Sequence, residues 1–335
     1  MIAQVDSTYI RIRPWKLWSR LVSYVLFEGR PITTRGQWIN PLLFAHFAIE
    51  KKLPLIAKKV EKPVFILGTG RSGTTILGVI LSMHRHVGFL NEPKAIWHSI
   101  YPNEDLIGNY SLNSARYRLE AKDASSEVIQ SAHRIFGTYL ATTFSERLVD
   151  KYPELIFRIP FIRTIFPNAK FLFITRNGWD TCSSISNWSN RLGLQAKSEI
   201  HDWWGRNRRK WNLLINEIVL EHNDLASLAP QIYDWSNQSD MAAVEWIVTM
   251  REGLKLQEQF PNDILQVRYE TLCLEPTKIL SEILKFTELS VDDAKFFSYA
   301  QFTLQPSSPK NPFELNKLIE EPFYEVMHKL GYKSE

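Results

Sequence analysis

Residues 64–83 leave this chain few ways to fold. Val64-Phe65-Ile66-Leu67 is a short, continuous apolar run of the kind that forms a strand buried on both faces. Gly68-Thr69-Gly70-Arg71-Ser72-Gly73-Thr74-Thr75 follows, and then Ile76-Leu77-Gly78-Val79-Ile80-Leu81-Ser82-Met83, which reads as a buried helix. A glycine-rich turn that opens a helix aims several backbone N–H groups at one point, and the helix dipole adds partial positive charge there. The product is a cradle for an anion. Gly73 permits close backbone approach, and the hydroxyls of Ser72, Thr74 and Thr75 supply donors.

Gly68 and Gly73 have the spacing of a Walker A loop, G-x-x-x-x-G-K-[ST], yet Thr74 stands where the lysine belongs and the loop's cation is Arg71. Such a loop suits a phosphate ester that arrives without a metal better than it suits magnesium-bound ATP. A P-loop nucleotide kinase or NTPase is one alternative reading. A nucleotide-binding membrane adaptor that keeps the fold without the chemistry is another.

The same alternation of strand and helix continues along the chain. Residues 87–90, Lys170–Thr175 and Ile264–Arg268 read as further short strands. Residues 14–28, 41–59, 125–150, 202–221, 239–259, 275–287 and 314–330 read as helices, with another from about Trp179. Short apolar strands separated by helices imply a parallel sheet covered on both faces. The expected fold is α/β, a P-loop-like three-layer sandwich with a central parallel sheet flanked by helices. Residues 61–335 are expected to form the catalytic domain, and residues 1–60 a basic, aromatic, helical N-terminal extension.

With 335 residues, 44% of them hydrophobic, there is ample material for a core. Cys182 and Cys273 cannot make a disulfide framework and suit a reducing compartment. No apolar run approaches the ~20 residues of a spanning helix, and the start lacks the order of a secretory signal. The expected location is cytoplasmic. Residues 1–60 hold ten Lys or Arg against three Asp or Glu, so the net charge of +4 leaves a small negative excess elsewhere. That imbalance argues against nucleic acid as a partner, while a basic, tryptophan-rich segment fits peripheral contact with an anionic membrane surface.

Arg71-Ser72-Gly73-Thr74-Thr75, between strand and helix, resembles the 5′-phosphosulfate loop of the sulfotransferases that use 3′-phosphoadenosine 5′-phosphosulfate (PAPS), and is similar to that of the tyrosylprotein and bacterial members. The resemblance implies Arg71 at the sulfonyl group and bridging oxygen, with Ser72, Gly73, Thr74 and Thr75 around the 5′-phosphate. It also implies a 3′-phosphate site made by an arginine at a strand end and a serine eight residues on. Here Arg176 ends the strand 170–175 and Ser184 stands at that spacing. Val267-Arg268-Tyr269-Glu270-Thr271-Leu272 resembles the family's R-Y-E-x-L segment, which makes Tyr269 the candidate for the adenine pocket. Leu330-Gly331-Tyr332 is similar to the family's ending, and Lys310, in Ser307-Ser308-Pro309-Lys310, is a candidate to reach the 3′-phosphate.

Sulfuryl transfer from PAPS to an acceptor hydroxyl needs aligned partners, charge stabilisation on the leaving phosphate and a base for the acceptor's proton. Cationic side chains can supply the electrostatics, and no metal is expected: His84 and His86 form an isolated pair, and neither cysteine has a partner at ligand spacing. In the tyrosylprotein branch the catalytic glutamate lies 21 residues after the loop arginine, which here is Glu92. It follows the strand 87–90 and so belongs to the sheet edge that carries the loop. His98 is the other candidate base. Those members also carry a lysine, in a K-D-P or K-T-P run, that contacts the bridging oxygen. Phe157-Arg158-Ile159-Pro160 is read as the counterpart, which makes Arg158 the candidate for leaving-group stabilisation. Trp188, Trp203, Trp204 and Trp211, interleaved with Arg206, Arg208, Arg209 and Lys210, suit an acceptor on a carbohydrate, glycolipid or other membrane-proximal compound.

Overall fold

A computed structural model describes residues 2–31, 36–53, 56–196, 199–306, 310 and 312–332. Its centre is strand β1 (Val64–Gly68), every residue of which is buried. Around it lie β2 (Val87–Asn91), β3 (Arg147–Lys151), β4 (Lys170–Thr175) and a later strand, Ile264–Arg268, in the order β2-β3-β1-β4 and then that strand. All pairings are parallel, with Val64 opposite Lys170 and Phe65 opposite both Asp150 and Phe171. Side chains alternate between the faces as strand geometry requires. Phe65, Leu67, Phe171 and Phe173 enter one core, while Val64, Ile66, Leu172 and Ile174 enter the other.

Helices cover both faces. In chain order they begin with α1 (Ser7–Ile12), α2 (Lys16–Val22), α3 (Asn40–Lys52), α4 (Thr74–Ser82), α5 (Lys94–Ile100), α6 (Ser126–Thr142), α7 (Ile159–Ile165) and α8 (Gly178–Leu192). A small antiparallel sheet follows, built of β5 (Leu194–Ala196), β6 (Glu199–Asp202) and β7 (Gly205–Arg206). Next come α9 (Arg209–Glu217), α10 (Asn223–Ala226), α11 (Ala229–Tyr233) and α12 (Gln238–Gln259), and then the last strand of the large sheet, β8 (Ile264–Arg268). The described chain closes with α13 (Tyr269–Leu274), α14 (Pro276–Phe286), α15 (Ala294–Thr303) and α16 (Lys317–Lys329). The anticipated α/β sandwich is the observed one.

Two expected helices are corrected. Residues 125–150 hold α6 and then β3, which pairs with both β1 and β2. The strand was hidden because Arg147, Asp150 and Lys151 break the apolar pattern of a buried strand. Asp150 is nevertheless fully buried and accepts a hydrogen bond from Trp97 Nε1 at 2.8 Å. Burial pushes its carboxyl up to about 8, so it sits in the sheet as a neutral acid. Residues 202–206 belong to the small sheet, and the helix begins only at Arg209, after Asn207 and Arg208 take positive φ of 50° and 64°.

The first helices are tied to the free edge of β2. In a parallel strand alternate residues turn their backbone groups to the same side, and here residues 87, 89 and 91 face outward. Lys16 Nζ donates to the Val87 carbonyl at 2.5 Å, Arg20 Nη1 donates to the Phe89 carbonyl, and the Asn91 N–H donates to Glu28 Oε1 at 2.8 Å. Side chains thus close an edge that would otherwise template pairing with another chain. Arg13 is likewise buried, donating to the Met83 carbonyl at 2.6 Å and pairing with Asp293.

Candidate active site

The carboxyl ends of the five parallel strands converge, and each contributes to one place: the loop after β1, Glu92 after β2, Lys151 at the end of β3, Arg176 after β4 and Tyr269 after β8. Ligands bind along this edge of an open parallel sheet because strand ends and helix N-termini leave donors unpaired there. A cavity of about 300 Å³ is lined by Arg71, Gly73, Thr74 and Thr75 from the loop, by Arg176, Ser184 and Tyr269, and by Glu92 and Lys151. The two expected anion sites are therefore walls of one cavity. They also touch: Arg71 Nε donates to Ser184 Oγ at 3.1 Å, and Arg176 Nη1 donates to the Arg71 carbonyl at 3.0 Å.

Gly73 has φ of 98°, and a Cβ there would lie 2.2 Å from the Tyr269 ring. Glycine is required both for the turn and for the approach of that ring. Above the same ring, 4.6 Å from its centroid, lies the Arg176 guanidinium. Arg176 Nε is buried and has no hydrogen-bond partner among the described residues, a donor left over for an anion in the cavity. Burial depresses the Arg71 pKa, with Arg176 and Arg191 adding to the effect, so the loop is short of negative charge. Ser72 behaves differently from the expectation. It is fully buried and its hydroxyl donates to the Thr69 carbonyl at 2.6 Å, so it holds the loop closed and does not line the cavity.

Glu92 has φ of 50°, and its side chain is 37% exposed. Lys151 Nζ pairs with its Oε1, and Lys94 Nζ lies 3.3 Å from its Oε2. Burial alone would raise the Glu92 pKa; the two ammonium groups outweigh it and hold the carboxyl far below the usual range. The charges alternate inward from there. Lys94 also lies 3.9 Å from Glu154, Lys210 is 3.1 Å from Glu154 and 2.6 Å from Glu245, and Glu245 accepts from Trp203 Nε1 at 2.7 Å. This ladder ends on an indole that lines the cavity.

Arg158 is a correction. It is 1% exposed, and its guanidinium donates to Glu104 Oε2 and to the carbonyls of Tyr117, Glu104 and Arg116 at 3.0–3.1 Å. It pins loops together beneath the site and does not reach the cavity. Of the two cations paired with Glu92, the one that also lines the main cavity is Lys151, in Lys151-Tyr152-Pro153. That K-x-P run was legible, but it begins just past the segment 125–150 that reads as a helix. His98 is not among the residues lining the main cavity; it packs between Phe44 and Tyr110. The Lys310 N–H donates to Asp180 Oδ1 at 2.6 Å, while its side chain is exposed and is not among those lining the cavities. Ser307, Ser308 and Pro309 lie outside the described residues. Glu270, next to Tyr269, is a structural clamp that accepts from the Asn177 N–H and the Tyr332 hydroxyl, each at 2.9 Å.

The tryptophans divide into two pairs. Trp204 and Trp211 are fully buried, with ring centroids 5.1 Å apart. Trp188 and Trp203 meet edge to face at 5.4 Å and line both the main cavity and a second one of about 130 Å³ beyond Glu92, shared with Lys94, Glu154 and Lys210. A third cavity, about 310 Å³, adjoins across Tyr269 and includes Asn177, Asp180 and Arg268. His84 is buried, and its Nε2 lies 3.0 Å from the Ser290 carbonyl. Among the described residues no cluster of three or more His, Cys, Asp or Glu could hold a metal ion, and no helix is long and apolar enough to cross a membrane.

Comparison with known proteins agrees with this geometry. The family model described as "Sulfotransferase family" matches residues 63–218, from just before β1 to the end of α9. The chain is 25% identical over 253 residues to the protein-tyrosine sulfotransferase of Drosophila melanogaster, a match covering 74% of this chain and 40% of that protein. It is 24% identical over 246 residues to protein-tyrosine sulfotransferase 1 of Danio rerio, covering 72% of this chain and 57% of that protein. The matched part is thus about half the length of these relatives. Among solved structures, a sulfotransferase from Mycobacterium avium superposes with a TM-score of 0.50 at 14% identity, over 100% of this chain and 98% of that one, a likeness of fold.

Proposed function

The chain belongs to the sulfotransferase family, and on that premise we propose that it transfers the sulfuryl group of PAPS to an acceptor hydroxyl. The observation that carries the reading is that Arg71, Thr74, Thr75, Arg176, Ser184, Glu92 and Lys151 border a single cavity. A loop N-terminus to a helix, two arginines and an unpartnered guanidinium nitrogen form a donor set fitted to a nucleotide with two phosphate ends. Tyr269, with the adjoining cavity behind it, offers a face for the base. When bound, PAPS would supply a sulfuryl group on a phosphate leaving group.

In this reading Glu92 accepts the acceptor's proton as the new oxygen–sulfur bond forms and the bond from sulfur to the phosphate oxygen breaks. Lys151 and Arg71 meet the negative charge left on the phosphate. The resting ion pairs matter here. With Lys151 and Lys94 both on its carboxylate, Glu92 is ionised but weakly basic. An anion that draws Lys151 away would restore its basicity where the acceptor's proton must go. His98 packs between Phe44 and Tyr110 and does not line this cavity, so Glu92 is preferred as the base.

The smaller cavity beyond Glu92, walled by Trp188 and Trp203, is proposed as the acceptor side. Indole faces fit a ring compound carrying a hydroxyl, whether the sugar of a glycan or glycolipid or the phenol that the relatives' names imply. Residues 61–335 would carry this chemistry, with residues 1–60 as the extension packed on β2. The test is incubation of the protein with ³⁵S-labelled PAPS and fractionated host lysate. Label should pass to one acceptor fraction, and Glu92→Gln should keep nucleotide affinity while lowering turnover about 10²–10⁴-fold. Binding without transfer to any fraction would favour the adaptor reading, and magnesium-dependent ATP turnover the kinase reading.

A further inference from the structure

Between residues 14 and 26 the polarity of a surface helix is reversed. Lys16, Ser19, Arg20 and Ser23 are buried, whereas Pro14, Trp15, Trp18, Leu21, Val25 and Leu26 are the exposed residues, and all are apolar. The buried polar side has its explanation in the capped edge of β2. The outward side has none within the molecule. Trp15, Trp18, Leu21 and Val25 follow helical spacing and form one stripe, with Trp15 and Trp18 53% and 56% exposed. The pattern continues in α3, where Leu42 and Ile49 are exposed while Asn40 and Glu50 are buried.

We propose that this face docks on an anionic lipid surface. Exposed indoles and aliphatic side chains on a short helix suit the headgroup boundary, where an amphipathic ring keeps one edge wet. Charge is complementary as well: both carboxylates between residues 7 and 53, Glu28 and Glu50, are buried, while Arg11 and Lys52 remain exposed at the margins. The attraction differs from what the raw charge of residues 1–60 suggests. Arg13, Lys16, Arg20 and Arg30 are consumed inside the fold, so apolar insertion carries the binding and the residual cations only assist it.

Docking would also fix where the chemistry happens, a consequence that rests on the sulfotransferase reading. Glu28 lies two residues beyond Leu26, within about 7 Å of chain. With Asn91 and Glu92 it lines a cavity of about 180 Å³. That cavity shares Glu92 and Lys94 with the acceptor cavity of Trp188 and Trp203, so the acceptor side would open next to the bilayer, where it meets a lipid-borne hydroxyl.

The test is flotation of the full chain with vesicles of phosphatidylcholine and phosphatidylglycerol in equal parts, which needs no donor. The chain should float, its tryptophan fluorescence should be quenched by brominated lipid, and binding should survive raised salt. Trp18→Ser/Leu26→Ser should partition about tenfold more weakly or worse, while Leu220→Ser, exposed elsewhere, should match the parent. A circular dichroism spectrum and melting temperature equal to the parent's report that both variants are folded, and absence of nucleotide affinity from the parent as well would count against the sulfotransferase reading alone. Equal flotation of the double variant, or flotation abolished by salt, would overturn the assignment. So would a concentration-dependent dimer that the double variant dissolves, which would make the face a contact between copies.

Discussion

Arg71 and Glu92 share an unusual backbone, with φ of 71° and 50° at the ends of β1 and β2. A non-glycine residue held there costs about 1–3 kcal/mol, a cost native structures tolerate where a side chain must be aimed. Both sit at a turn over the sheet edge, and both side chains face the same cavity. Arg176 supplies the complementary charge, and removing it should cost a charge-assisted hydrogen bond. Arg176→Ala is expected to weaken binding of 3′-phosphoadenosine 5′-phosphate about 10–100-fold by titration calorimetry. Unchanged affinity would remove it from the proposed 3′-phosphate site. Lys151 bears on Glu92 through pH. Because the lysine depresses the carboxyl pKa, Lys151→Met should raise it and move the acidic limb of the kcat/KM profile to higher pH, together with a fall in kcat. An acidic limb that stays put would show that Lys151 and Glu92 are not coupled in the working enzyme.

At the scale of elements, β2 depends on side chains where another sheet would use a strand. Arg20 is 2% exposed and pairs with Glu28, itself 3% exposed, at 3.0 Å, while both bind backbone groups of the strand. Removing one partner leaves a buried, uncompensated charge. Arg20→Met should therefore destabilise the fold by about 3–5 kcal/mol, read from urea unfolding, and Arg20→Met/Glu28→Gln by less than the single change. Additive losses in the double variant would mean that the two act separately. The neighbouring strand β3 shows why a sequence pattern can mislead. Only Leu148 and Val149 in it look like strand core, and the helical run of α6 ends five residues before it. The strand is recognised by what lies on either side of it, Phe65 on β1 and Phe89 on β2, and not by its own residues.

For the whole molecule, the buried acids give stability a definite slope with pH. Asp150, with an ordinary value of 3.8, is raised to about 8 by burial, and Glu104, ordinarily 4.5, to about 7 by burial against the pull of Arg158. Between the ordinary and raised values the folded chain holds more protons than the unfolded one, so stability falls as pH rises through that window. Buried histidines, His84 above all with its value lowered to about 4, act in the opposite sense below about pH 6.5. The test is therefore the difference: from about pH 5 to about pH 8 the parent should lose more melting temperature, or gain less, than Asp150→Asn. Equal curves would shift the cause elsewhere. Lys16, lowered to about 7 by burial and by Arg13, works in the opposite sense above that pH. The sequence by itself determined the glycine-rich turn after β1 and the parallel α/β architecture, because both follow from local pattern, and a family resemblance singled out Arg71, Glu92, Arg176 and Tyr269, which the fold brings to one cavity. The tertiary structure alone decided that Arg158 is a buried clamp and that Lys151 joins Arg71 and Arg176 at the cavity, that Ser72 faces inward, and that Lys16 and Arg20 serve a sheet edge. Those outcomes depend on which strands become neighbours, and long-range contact sets the surroundings of a charged side chain in a way its own residue type cannot.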